Sequence, residues 1–458
     1  MVNLFAEIVP EAGKEPAFLN RAPGLKFLAT IGTGPIRGLW AYSSDDGTAF
    51  VVSGTELYKI TRNYTATLLG TIAGTGPVSM SDNGIQLFIA ANGPSYIYNN
   101  NTNAFGQITD EDFPGAATVC YLDGYFVFNE PNSQKMWITA LLDGTSIDPL
   151  EFASTEGSPD GLIAVAANFR EVWAFGTNSI EVWYDSANPD FPLERIQGAF
   201  NELGCAAPFS VAKMDNGMFW LGRDRRGQGM VYRANGYTGQ RISTHAIEWQ
   251  IQQYGDISDA IAYTYQQGGH SFYVLTFPSG NATWVYDAAT EAWHERAGWL
   301  NGEFTRHRSN CQMAFNNQVI VGDFENGNIY AFDLDVYADN GGIQKWLRSW
   351  RALPTGQNNL KRTAHHTLQL DCETGVGLNT GQGSDPQVML RWSDDGGHTW
   401  SNEHFSPVGK IGVYQQRVFW RRLGMTLKLR DRVYEVSGTD PVKTVIMGAE
   451  LIVSATNA

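Results

Sequence analysis

The chain has 458 residues with a formal net charge of −15; 17% of its residues are charged, 12% are aromatic and 49 are glycine. So low a charged fraction excludes a disordered chain or a coiled coil and calls for extensive buried surface. No run of about 18 apolar residues is present that could cross a membrane as a helix.

At the N-terminus, Met1 to Glu7 lacks a basic region followed by a long apolar run, so no export leader is expected and synthesis in a cytoplasm is. Gly32-Thr33-Gly34-Pro35 then recurs as Gly74-Thr75-Gly76-Pro77, and each copy opens a run of short alternating strands and tight turns. A repeat of about 40 to 50 residues is too small to bury its own apolar faces, which predicts radial stacking into a closed β-propeller. Strand onsets fall near Ile36, Val78, Val119, Ile163, Val211, Ile261 and Met313, giving about seven blades. Within units, runs such as Ile85 to Ala91, Tyr125 to Phe128 and Glu171 to Phe175 read as apolar strands. Asn216-Gly217, Asp123-Gly124 and Asn326-Gly327 read as hairpin turns, because these residues tolerate positive φ.

Turn formers cluster at Asp339 to Gly342 and again at Pro354 to Asn359, marking a boundary. Between them, Ile343 to Arg351 fits both helical and strand periods, and its short length and β surroundings favour a strand. Beyond it, Thr367 to Leu370, Val388 to Trp392, Gln416 to Trp420, Met425 to Leu429 and Thr444 to Met447 read as strands of a smaller β-sandwich. The expected order is therefore an N-terminal segment over 1–35, a β-propeller over 36–340 and a C-terminal β-sandwich over 341–458, an all-β chain. From Lys361 onward there are 11 Lys and Arg against 10 Asp and Glu, so the preceding chain carries a net −16. An acidic surface disfavours tight binding of nucleic acid or anionic membranes, though it suits a conduit along which DNA slides without sticking. A merely solvated acidic surface is the simpler alternative.

Candidate chemistry is sparse. Ser393, Asp395, Gly397, Thr399 and Trp400 match the Asp-box of sialidases and related propellers, a hairpin signature in which Asp395 caps turn amides, Gly397 supplies the permissive backbone and Trp400 packs beneath. It occurs once and outside the expected propeller, so a structural turn is favoured over glycosidase chemistry. Gly32 to Gly38 superficially resembles a dinucleotide loop, but the following Leu39 to Tyr42 reads as strand, whereas phosphate binding needs a helix N-terminus there. Asp110-Glu111-Asp112 and Asp333, Asp335 and Asp339 lack the alternating oxygens and Gly bend of a calcium loop and read as solvated loops. The four cysteines, Cys120, Cys205, Cys311 and Cys372, are far apart and are expected to be buried thiols. His365 and His366 sit adjacent on a strand, point to opposite faces and make poor joint ligands. No catalytic, cofactor-binding or metal-ligating residue is assigned, and no cofactor is expected. The basic, aromatic stretch Arg417, Arg421 and Arg422, with Lys428, Arg430 and Arg432 nearby, reads equally as a partner interface or a solvated sheet face.

Val2 to Glu7 with Arg21 to Leu25, then Leu370 to Gly377, Arg391 to Gly397 and Arg417 to Gly424, together resemble the packaged-DNA stabilisation proteins, or tail hubs, of short-tailed bacteriophages. The resemblance spans both domains and rests on the order and spacing of the set. It implies a non-enzymatic virion protein, a hexameric ring below the portal and its adaptor. Such a ring helps retain packaged DNA, supports tail fibres, spikes or the needle, and bounds the ejection channel through which genomic DNA passes without sequence-specific binding. No stable membrane insertion is implied. The alternative reading, prompted by the Asp-box, is a glycan-binding or sialidase-like propeller.

Overall fold

A computed structural model describes residues 1–9, 15–43, 47–155, 157, 160–188, 191–223, 227–351, 362–426 and 432–455. The chain forms two compact units, and they interleave along the sequence. One holds Phe27–Glu291 and Arg308–Ala331; the other holds Met1–Lys26, Ala292–His307 and Phe332–Ala458.

The first unit is a β-propeller of seven blades. Its innermost strands are Ile36–Ala41, Ser79–Asp82, Val119–Leu122, Leu162–Asn168, Ala212–Met214, Ile261–Gln267 and Ser309–Phe315, all starting within a few residues of the onsets read from the sequence. The second strands explain why such short repeats assemble. Gln86–Ala90 is buried at every position, because Leu87 and Ile89 face the first blade while Phe88 and Ala90 face the third. Val127 likewise packs towards the fourth blade, while Phe126 and Phe128 pack towards the second. Alternation with a period of two thus serves two neighbours at once, and the strand reads as a continuous apolar run. The same logic carries Trp173 and Phe175 onto Met218 and Trp220 of the fifth blade, Phe219 onto Tyr273 of the sixth, and Tyr263 onto Ser309 of the seventh through a 2.6 Å hydrogen bond. Met313, Phe315 and Ile320 of the seventh blade pack with Ile36, Leu39 and Val51 of the first. The ring closes there. The fourth strand of that last blade is Gly24–Thr30, drawn from the start of the chain, and Ile31 N donates to the Gly327 carbonyl at 2.7 Å.

Two turns differ in detail from the sequence reading. The fifth-blade hairpin centres on Asp215 and Asn216, with φ of 47° and 58°, and Gly217 already begins the next strand. Asn326-Gly327 has no left-handed residue; a Cβ at Gly327 would stand 2.5 Å from the carbonyl oxygens of Ile31 and Gly32, so close backbone approach is what requires glycine. One helix, His245–Gln253, follows the fifth blade, capped by the Thr244 hydroxyl, which accepts from Ile247 N.

In the second unit, two sheets enclose one apolar core, a β-sandwich. One sheet runs Leu4–Ile8, Ala17–Arg21, Val445–Ala455, Thr363–Cys372, Val418–Arg421; the other runs Trp346–Arg351, Val433–Gly438, Gln387–Ser393, His404–Pro407. Leu4, Trp346, Leu368, Leu390, Trp420 and Tyr434 lie in the core between them. Ile343 to Arg351 therefore ends in a strand, as its β surroundings suggested. Of the Met425 to Leu429 stretch, Met425 makes an isolated bridge to Ala364, and residues beyond Thr426 lie outside the described ones.

Candidate functional site

The propeller's inner strands surround a tunnel of about 440 Å³, lined by residues such as Leu39, Ser79, Val119, Ala166, Val211 and Ala262. A mouth of about 1120 Å³ is lined by Tyr42, Lys213, Thr264, Gln266, Gln312 and Asn316 among others. No His, Asp or Glu is among the described residues that line either space. Arg37, a cation of the tunnel wall, is buried and spent on structure. Its guanidinium donates to the carbonyls of Gly76 at 2.6 Å, Gly54 at 2.9 Å and Ala73 at 3.0 Å, tying the first blade to the second Gly-Thr-Gly-Pro copy.

The Asp-box lies in the connection from Gln387–Ser393 to His404–Pro407. Asp395 accepts from the Ser393 hydroxyl at 2.6 Å, from the Thr399 hydroxyl at 2.6 Å and from Thr399 N at 2.9 Å. The hydroxyls of Ser393 and Thr399 hold its carboxyl well below the usual range. Gly397 N donates to Ser393 Oγ at 2.8 Å, and Gly397 itself has φ of 101°, a conformation that favours glycine. Trp400 is half-buried, with the Arg391 guanidinium 4.6 Å from its ring centre. The hydroxyls of Ser393 and Thr399, the Asp395 carboxylate and the amides of Gly397 and Thr399 bond to one another within the turn.

The basic residues separate into two groups. Arg417 and Arg421 are exposed and flank Phe419, at 5.9 and 4.6 Å from its ring centre, and Arg422 is exposed with φ of 60°. Arg432 departs from the surface role expected of it. It is buried, pairs with Asp394 through two hydrogen bonds of 2.7 and 2.8 Å, and donates to the carbonyls of Leu423 and Met425. A charge with no water needs such complete pairing, so Arg432 serves the sandwich interior. Arg430 and Lys428 lie outside the described residues. His365 is buried and bonded to Tyr434 Oη at 2.7 Å, whereas His366 is exposed and bonded to Ser454. Burial, then Arg432, pushes the His365 pKa down to about 4.

Sequence reasoning also missed the buried cation Arg21. Arg21 donates to Gln344 Oε1 at 3.1 Å and to the carbonyls of Asp440, Val442, Tyr337 and Gln344. It stitches the first strands of the chain to the segments beyond residue 336. The only signal was an arginine ending a short strand that opens on the apolar run Ala17-Phe18-Leu19. Of the acidic clusters, Asp110 caps Asp112 N and Ile147 N, and Asp333 pairs with Lys26 at 3.2 Å. Among the described residues no three His, Cys, Asp or Glu converge on a metal position. Cys120 and Cys205 are buried, while Cys311 and Cys372 are partly buried; none is paired in a disulfide.

Residues 1–337 match the family model described as bacteriophage P22 Gp10, beta-propeller, and residues 346–454 match the one described as bacteriophage P22 Gp10, beta-sandwich. No curated protein sequence matches the chain. Among solved structures it is similar to virginiamycin B lyase from Staphylococcus aureus, at 11% identity over 67% of this chain and 98% of that one, with a TM-score of 0.45. It is also similar to the Cps50 (Swd1) beta-propeller domain of Myceliophteria thermophila, at 8% identity over 67% and 98%, TM-score 0.43. The N-terminal domain of Nup159 is similar at 10% identity over 71% and 97%, TM-score 0.42. With both of its domains matched in order, the chain belongs to the bacteriophage P22 Gp10 family of phage tail proteins.

Proposed function

We propose that this chain is a structural component of the virion, a tail hub that sits below the portal and adaptor, helps retain packaged DNA, anchors fibres or spikes and forms part of the ejection channel. The observation that carries this reading is the family match, which runs through propeller and sandwich in the family's order. Two physical features support it. The chain before Lys361 carries a net charge of −16, a surface along which a polyanion slides without being captured. The propeller is closed on itself through the strand Gly24–Thr30, which suits a part that must bear load without opening. The role is mechanical and no turnover is assigned to it. A hub works as a ring of copies, each presenting different patches to its two neighbours.

The reading is tested by removing the gene from the phage and measuring encapsidated DNA. Particles without the hub should package the genome and then lose it on purification, and complementation in trans should restore retention. Particles that hold their DNA and infect normally would contradict the proposal.

A further inference from the structure

The connection between strands Lys135–Ile138 and Phe152–Ser154 displays apolar side chains on a firmly built loop. Ala140 N donates to Ser146 O at 2.9 Å, Leu142 N to Gly124 O at 2.8 Å, Gly144 N to Gln86 Oε1 at 2.7 Å and Ile147 N to Asp110 Oδ2 at 3.2 Å. Ile147 anchors it in the core. Yet Leu141, Leu142 and Leu150 are 60%, 61% and 81% exposed, and Leu142 is held at φ of 61°, a conformation that bulky residues rarely adopt. Strain of that kind and solvent-facing leucine both cost stability, and both are kept where a surface has work to do. From Leu141 to Glu151 the loop carries Asp143, Asp148 and Glu151 and no lysine or arginine. Among the described residues no cation pairs with the three carboxylates.

The outer face of the edge strand Val418–Arg421 is its complement. Arg417 and Arg421 bracket Phe419, and Arg422 follows. Across the sheet, Arg421 stands opposite Thr367 and Thr367 opposite Ile452, which is 62% exposed. Glu450, opposite Gln369, is the carboxylate in the neighbouring row, and Arg417 donates to Gln369. Among the described residues no carboxylate pairs with Arg417, Arg421 or Arg422.

We propose that copies of this chain associate head to tail, the Leu141–Glu151 loop of one seating on the Arg417–Phe419–Arg421 face of the next. This rests on the reading of the chain as a ring-forming hub and names the faces that would join. The occupant is a second copy because each segment shows apolar side chains at its surface together with three charges of one sign, negative on one and positive on the other. The two faces are different surfaces, so the contact is heterologous and repeats from copy to copy.

Reciprocal charge reversal tests it. One variant carries Arg417→Glu with Arg421→Glu; the other carries Asp148→Arg with Glu151→Arg. Sedimentation of the purified wild-type chain should show salt-weakened self-association, and each variant alone should associate at least about 10-fold more weakly, since like charges then face each other. An equal mixture should regain association, because the reversed faces complement one another, and this recovery also shows that both variants are folded. Association that neither variant changes, a mixture that does not recover, or a wild-type chain that stays monomeric at its highest soluble concentration would overturn the proposal. If purified particles still contain several copies of the chain in any of those cases, the faces are wrong and the hub reading stands; particles without it would sink that reading instead.

Discussion

The propeller and the sandwich reach stability by different routes. In the propeller, each apolar strand serves two neighbours, and the junctions between blades are built chiefly from clusters such as Phe50, Leu87 and Tyr98 or Trp173, Phe175 and Trp220. In the sandwich unit, buried cations accompany the apolar core: Arg21 donates to carbonyls more than 300 residues away, and Arg432 pairs with Asp394 and donates to the Leu423 and Met425 carbonyls. Repetition lets apolar contacts carry most of the ring, alongside polar ties between blades such as Arg37 to the carbonyls of Gly76 and Ala73. An assembly of remote segments has no repeat to guide it, and directional bonds from buried guanidinium groups fix which segments meet.

The sharpest way to break that contrast is at Arg21. Arg21→Ala leaves four carbonyls and Gln344 without their buried donor, and should destabilise the sandwich unit by about 3–5 kcal/mol, read as a shift in the urea midpoint of tryptophan fluorescence. Burial pushes the Arg21 pKa down only to about 10, so the cation persists at neutral pH and the loss should be insensitive to pH between 5 and 8. In the propeller the matching cut is apolar. Leu87→Ala, between the first two blades, should cost about 2–4 kcal/mol with no dependence on salt, measured by the same titration.

A smaller effect separates the units by pH. His365 titrates near 4 when folded, below its ordinary 6.5, so the unfolded chain takes up the proton more readily. The stability contributed by neutral His365 should be complete above about pH 6.5 and be lost as pH falls from there towards 4. Melting temperatures of the wild type and His365→Gln compared across that window should converge at low pH; parallel curves would contradict the sign. Smallest of all is Asp395→Ala. Asp395 is exposed, and its bonds to Ser393 and Thr399 organise one turn, so the melting temperature should fall slightly and the loop should become more open to proteolysis. An unchanged melting temperature and cleavage pattern would remove Asp395 from that role.

The same contrast decides what could be seen in the sequence. The blades were legible because their repeat is local: alternation, turn residues and a fixed spacing announce each unit before any long-range contact is known. Closure of the ring through Gly24–Thr30, and the recruitment of Leu4–Ile8 and Ala17–Arg21 into the sandwich, depend on partners hundreds of residues away, and no local pattern encodes them. The helix His245–Gln253 left a faint trace, Thr244 ahead of Ile247 and Ile251 at helical spacing, too short to stand out among strands. The Asp-box geometry was readable residue by residue, since all its bonds fall within seven positions. The fate of Arg432 was not, because arginines on a surface and arginines paired to a buried carboxylate look alike until Asp394 is placed beside one of them.

The central claim, that this chain is a stoichiometric part of a phage tail, is tested most directly by counting its copies in purified particles with isotope-labelled peptide standards. The account predicts a fixed number on the order of six per particle, the count a closed ring below the portal would hold. A chain absent from particles, or present only in trace and variable amounts, would contradict it.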